Sequence, residues 1–182
     1  MNALKKEEKK RLYTIDDIYA LPEGERAELI DGQIYYMVPP GWTHQKISRK
    51  LHQAIANYID SQNGECEVLA APFAVFLNND EFNYVEPDIS VICDLSKLDE
   101  RGCHGAPDWV IEIVSPGSKA RDYMAKLIQY RTAGVREYWI VDPGKQMITV
   151  YGFEADTVEQ YGLGEAVPAG IYQGFSIKIQ QW

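Results

Sequence analysis

The chain has little from which to build a thiolate or imidazole metal cluster: three cysteines, Cys66, Cys93 and Cys103, and three histidines in 182 residues. The cysteines are odd in number and none falls in a CxxC pair. That argues against a zinc site and predicts small buried thiols kept in a reducing compartment. Positive charge is also short. Eighteen Lys and Arg face 27 Asp and Glu, a formal charge of −9, which excludes a broad basic surface that coats nucleic acid; any contact with a polyanion must be local or metal-assisted. No apolar run approaches the roughly 20 residues of a membrane span. The opening residues MNALKKEEKKRL carry both signs of charge and no apolar stretch. Neither a membrane segment nor a secretory signal is therefore expected, and a cytoplasmic location is.

What is present reads as one α/β (α+β) domain over residues 13–182, with a flexible lysine-rich tail over 1–12 and neither an internal repeat nor an interdomain linker. Thr14 can cap a helix whose first turn holds Asp16 and Asp17 and whose apolar residues are Ile15, Ile18 and Leu21. Asp31-Gly32 predicts a turn into a strand over Gln33–Val38. From Thr43 to Asp60, Ile47, Leu51, Ile55, Tyr58 and Ile59 form one helical stripe, closed by Asn63-Gly64. Short strands are expected around Cys66–Leu69, Phe73–Leu77 and Tyr84–Cys93, followed by a loop over Asp94–Pro107. The runs WVIEIV at 109–114 and Glu137–Val141 look like strands buried on both faces. The helix expected between them, over Ser118–Ala133, makes a crossover between parallel strands. Peripheral strands are expected over Met147–Phe153 and Ile171–Ile179.

Two acids stand where their neighbours demand burial. Glu112 lies inside WVIEIV, and an isolated carboxylate there costs several kcal/mol unless it is protonated, paired or bound to a cation. Asp88 lies in YVEPDISVI, where Pro87 suggests an edge or a bulge. If the two strands are neighbours, their carboxylates repel unless something positive sits between them. Oxygen ligands of this kind suit Mg²⁺ or Mn²⁺, and a buried salt-bridge network is the structural alternative.

Lys126 offers a third element. From Glu112 to Ser115 a strand advances about 10 Å, and from Ser118 to Lys126 a helix returns about 12 Å, so the lysine comes back level with Glu112. Met124, Leu127 and Ile128 predict the core-facing side of that helix. Asp122, four residues before Lys126, reads as its partner in a surface ion pair. Five basic residues against one acid between Gly117 and Arg136 mark the place where a phosphate is most welcome. Acid, acid and lysine around a divalent ion is what phosphodiester hydrolysis needs.

These residues, taken with Glu28-Leu29-Ile30-Asp31-Gly32, His44-Gln45, Glu86-Pro87-Asp88, Ala106-Pro107-Asp108, Val110–Pro116 and Gly134–Pro143, resemble the Uma-two family of restriction-endonuclease-like proteins, within the PD-(D/E)XK nuclease superfamily. The resemblance covers roughly Thr14–Phe175. It implies a restriction-endonuclease-like core with a central mixed sheet flanked by helices, Asp88 and Glu112 as metal ligands and Lys126 as the active-site lysine. The superfamily's usual lysine position, two residues after the second acid, is Val114 here, and the family places the lysine on the following helix. Glu28 matches an acid that in many members comes from an N-terminal helix and completes the metal site; its other reading is a surface carboxylate at a helix end. His44 matches a family position, with helix capping beside Thr43 as the simpler role. Tyr130, four residues after Lys126, either holds the lysine, lines the cleft or belongs to the core. A homodimer acting on DNA with Mg²⁺ or Mn²⁺ is also implied. Two rivals stand beside this reading: a nuclease-fold module that binds nucleic acid or a protein without cutting, and a metal-free carboxylate-pair glycosidase, which activity in EDTA would reveal.

Overall fold

The computed structural model describes residues 11–118 and 120–179; most of the expected tail, Lys119 and the last three residues lie outside the described residues. In α1 (Ile15–Tyr19) the Asp17 carboxylate accepts the Thr14 N–H at 2.8 Å, half of a capping box. β1 (Ala27–Ile30) and β2 (Gln33–Tyr36) form a two-residue hairpin. Asp31 and Gly32 both have positive φ, 48° and 68°, which this tight turn requires. α2 (Trp42–Ser61) buries Ile47, Leu51, Ile55 and Ile59, each contributing about 1.5–3 kcal/mol.

Five strands follow: β3 (Glu67–Ala70), β4 (Val75–Phe76), β5 (Ile89–Ile92), β6 (Leu98–Asp99) and β7 (Gly102–His104). β8 (Trp109–Ile113) is buried at every residue. A π-helical turn over Arg121–Lys126 runs straight into α3 (Leu127–Ala133), which Gly134 ends with φ 97°. β9 (Glu137–Asp142), β10 (Met147–Gly152), β11 (Thr157–Gly162), β12 (Ala166–Pro168) and β13 (Ser176–Lys178) complete the chain.

The central sheet is mixed, in the order β11-β10-β9-β8-β5-β3, with β8 and β9 parallel and the other neighbours antiparallel. Strand alternation splits its residues between two cores. Trp109, Ile111, Ile113, Trp139 and Val141 pack with the α2 stripe. Val110, Tyr138 and Ile140 face the opposite side, with Tyr130 of α3 and Ile30 of β1. The sheet is thus covered by α2 on one face and by the crossover helix and the first hairpin on the other.

Three local expectations are corrected. β5 is not an edge strand: it lies between β8 and β3, and Pro87 sits two residues before it, where no donor is lost within the printed ladder. Cys66 and Cys93 are not free thiols but a disulfide. The β3–β5 register pairs Glu67 with Ile92, so the two cysteines meet one step beyond it, which a spacing of 27 residues could not announce. Cys103 remains a free, buried thiol, pushed up to about 11 by burial. The expected 94–107 loop holds a 3₁₀ turn over Leu95–Lys97 and two strands, β6 and β7, that pair with β4 in a small sheet.

Candidate active site

The register of the sheet creates the acid pair. β5 and β8 pair Val91 with Trp109, Ser90 with Val110 and Ile89 with Ile111; one step further sets Asp88 opposite Glu112, on the face shared by Ser90 and Val110. Residues so opposed have Cβ atoms about 4.5–5.5 Å apart. Asp88 commits Oδ2 to the protein, accepting the Ile113 N–H at 2.7 Å and lying 3.1 Å from Nε2 of His44. Glu112 commits Oε1, accepting Lys126 Nζ at 2.7 Å and the Tyr130 hydroxyl at 2.6 Å.

Lys126 reaches the level of Glu112 as the strand and helix lengths predict, but the face of its helix is the reverse of the expected one. Met124 and Ile128 are 67% and 63% exposed, whereas Asp122, Lys126 and Tyr130 are buried. Asp122 is therefore no surface residue: its Oδ1 lies 3.9 Å from Lys126 Nζ inside the protein. A period of 3.6 assigns the inner side wrongly here because the π turn is wider than an α turn and shifts the buried positions to four-residue steps.

Glu28 is neither on a helix nor on the surface. It is the second residue of β1 and fully buried, sharing a strand face with Ile30 and reaching Lys126 Nζ at 2.7 Å from Oε1. That same oxygen accepts the Glu86 N–H at 3.1 Å. His44 is not a cap: α2 starts at Trp42, and the imidazole turns inward to Asp88. Sequence reasoning missed Arg121, whose Nε lies 3.4 Å from Glu28 Oε2, and the Glu86 side chain, which takes Arg26 and the Tyr84 hydroxyl. Nothing local in the sequence marks Arg121. Glu28, His44, Asp88, Glu112, Asp122 and Lys126 all line one cleft of about 290 Å³.

The electrostatics follow from burial. Glu112 is pushed up to about 8 by desolvation, helped by Asp122, Asp88 and Glu28 and opposed by Lys126. Burial works against the Lys126 ammonium, but Glu112, Glu28 and Asp122 outweigh it and hold the amine protonated. Desolvation also raises Asp122. For His44, burial disfavours the charged ring and Asp88 more than compensates, so the imidazole is raised above its usual value.

The expected basic patch does not exist as a phosphate-binding face. Arg131 meets Asp156 at 2.5 Å, Arg136 meets Glu154 at 3.0 Å and Asp108 at 3.4 Å, and Lys126 is buried. Acids distant in sequence neutralise what looked locally positive. His52, beside the Val68 carbonyl, and His104, stacked on Phe76, stay outside the site as expected.

The donor set fits a hard divalent ion. Mg²⁺ keeps several waters and needs only one or two carboxylates, which Asp88 and Glu112 supply from adjacent strands. Glu28 Oε2 and Asp122 Oδ1 are buried without a hydrogen-bond partner, as if short of a positive charge or a donor. Among the described residues no three acidic, histidine or cysteine groups form a closed cage. The fit is therefore to an ion that retains water, not to a fully protein-ligated one.

A six-stranded mixed sheet with an acid pair on neighbouring strands, and a lysine delivered from the crossover, is a nuclease-like α+β architecture. The same fold occurs in the crystal structure of a protein described as "a putative nuclease belonging to DUF820" from Anabaena variabilis, with a TM-score of 0.70 and 24% identity over 87% of this chain and 89% of that one. The chain belongs to the Uma2 family, described as "Putative restriction endonuclease", whose model matches residues 15–180. It is also 30% identical over 128 residues, 70% of its length, to the uncharacterized protein slr1290 of Synechocystis, of which the match spans 66%. No described helix is long and apolar enough to cross a membrane.

Proposed function

We propose that this chain is a metal-dependent endonuclease that hydrolyses phosphodiester bonds in nucleic acid, with DNA as its expected substrate. The observation that carries this reading is the cross-strand placement of Asp88 and Glu112 on one cleft wall, with Lys126 Nζ 2.7 Å from Glu112 Oε1. Asp88 and Glu112 would hold Mg²⁺ or Mn²⁺, with Glu28 in support, and the ion would supply Lewis acidity and a water of lowered pKa. Lys126 orients Glu112 and Glu28 by bonding Oε1 of each, and its ammonium offsets charge that develops on the phosphate. Tyr130 donates to the same Glu112 oxygen and so fixes the plane of the carboxylate. His44 and the Ile113 N–H do the same for Asp88. The cleft walls exclude bulk water, which strengthens each of these interactions.

A second reading, a module that binds without cutting, is favoured by the net charge of −9. A cleavage screen over supercoiled, linear, single-stranded and RNA substrates with Mg²⁺ and Mn²⁺ separates the two. The parent is expected to cut in a chelator-sensitive way, and Glu112→Gln to lose about 10²-fold or more. Equal degradation by both proteins refutes the assignment of Glu112, and Mn²⁺ binding without any cleavage selects the module.

A further inference from the structure

The acids of the cleft are deeply set: Glu28 is 0% and Glu112 4% exposed, so a phosphodiester must be carried inward to reach them. At the mouth the surface changes character. Tyr36 and Val38, on the cleft wall, are 63% and 79% exposed, and Trp42, just beyond the lining residue Pro40, is 71% exposed. Two other tryptophans, Trp109 and Trp139, are fully buried. Single exposed apolar residues are ordinary on a protein surface, but three large ones within seven positions at a cleft entrance make a patch that calls for a partner.

The charge beside this patch identifies the partner's chemistry. Trp42, Lys46, Arg49 and Lys50 follow one another at helical spacing on α2, opposite the buried Ile47 and Leu51. From Trp42 to Lys50 there is no acid, in a chain of net charge −9. Lys46 Nζ sits 4.7 Å from the Trp42 ring centroid. An exposed aromatic plane flanked by a short cationic row is how proteins hold unpaired nucleotides: the base stacks on the ring and the phosphates follow the cations. A duplex is rigid, hides its bases and needs a broader basic surface than this chain has. A single strand can bend into the cleft.

We propose that the mouth of the cleft binds an unpaired polynucleotide strand, with one base stacked on Trp42 and the neighbouring phosphates along Lys46, Arg49 and Lys50, so that the strand enters toward Asp88 and Glu112. This inference rests on the nuclease reading for what happens to the strand inside, but its binding step can be measured without cleavage.

The test is fluorescence anisotropy of labelled oligothymidine, twelve nucleotides long, against a duplex of the same length, with the full chain in chelator. The single strand is expected to bind about tenfold tighter or more. Trp42→Ala is expected to weaken it about 5- to 100-fold, the range of base–aromatic stacking, and Trp42→Phe to restore most of the affinity. Replacing Lys46, Arg49 and Lys50 together by Gln is expected to lower the slope of log affinity against log salt by about 2, at roughly 0.7 per phosphate contact. Duplex binding as tight as single-strand binding, or Trp42→Ala binding like the parent, overturns the proposal even if the parent cuts DNA. Trp42-dependent binding in a protein that cuts nothing upholds this site and removes the nuclease reading instead.

Discussion

Replacing Lys126 by Met removes the charge around which the buried acids are arranged. In the native chain the ammonium lies 2.7 Å from Glu28 Oε1, 2.7 Å from Glu112 Oε1 and 3.9 Å from Asp122 Oδ1, and is itself 2% exposed. Methionine keeps the length and the apolar stem but leaves three carboxylates facing one another out of water. Removing one partner of a buried pair costs about 3–5 kcal/mol, because the other charge is left uncompensated. At roughly 2–4 °C per kcal/mol for a domain of this size, the melting temperature should fall by ~6–20 °C at neutral pH. Adding Glu112→Gln to Lys126→Met removes one of the repelling acids, so the double variant should be more stable than Lys126→Met alone. A divalent ion can replace the missing charge. Mn²⁺ should therefore raise the melting temperature of Lys126→Met by more than that of the parent, by about 2.7 kcal/mol of stability when the ion is at a hundred times its Kd. Circular dichroism melts with and without Mn²⁺ measure all of this. A single variant within 1 kcal/mol of the parent, unmoved by Mn²⁺, shows that Lys126 does not neutralise the acids and that they do not hold an ion.

Two further outcomes follow from the same geometry. In the metal-free chain, NMR titration should place the His44 midpoint above 6.5, because Asp88 outweighs burial; since the folded value exceeds the unfolded one, this pair's stabilisation is complete below about pH 6.5 and is lost as pH rises through the folded midpoint. Asp88→Asn should lower that midpoint, and a parent midpoint below 6.5 contradicts the contact. Met124→Gln and Ile128→Gln should each change stability in urea by no more than about 0.5 kcal/mol, since both side chains are mostly exposed; losses above 2 kcal/mol would return them to the core.

The amino-acid sequence by itself determined the elements whose cause is local. The apolar runs at 109–113 and 137–142 are strands because nearly every residue is apolar, and α2 is amphipathic because its isoleucines and leucine recur every four residues. Glu112 was conspicuous because its immediate neighbours contradict it, and the reach of Lys126 followed from fixed rises per residue. The tertiary structure alone decided which distant groups became neighbours. Strand register, not spacing, set Asp88 against Glu112 and Cys66 against Cys93. Placing Glu28 on a strand brought a fourth acid to the lysine, and the π turn reversed the face of the crossover helix. Asp156, Glu154 and Asp108 cancelled a basic stretch that no residue near it in sequence opposed. Short-range order depends on side-chain periodicity, which is written along the chain, whereas the sign and burial of a site depend on pairings made across the sheet, and these exist only once the chain has folded.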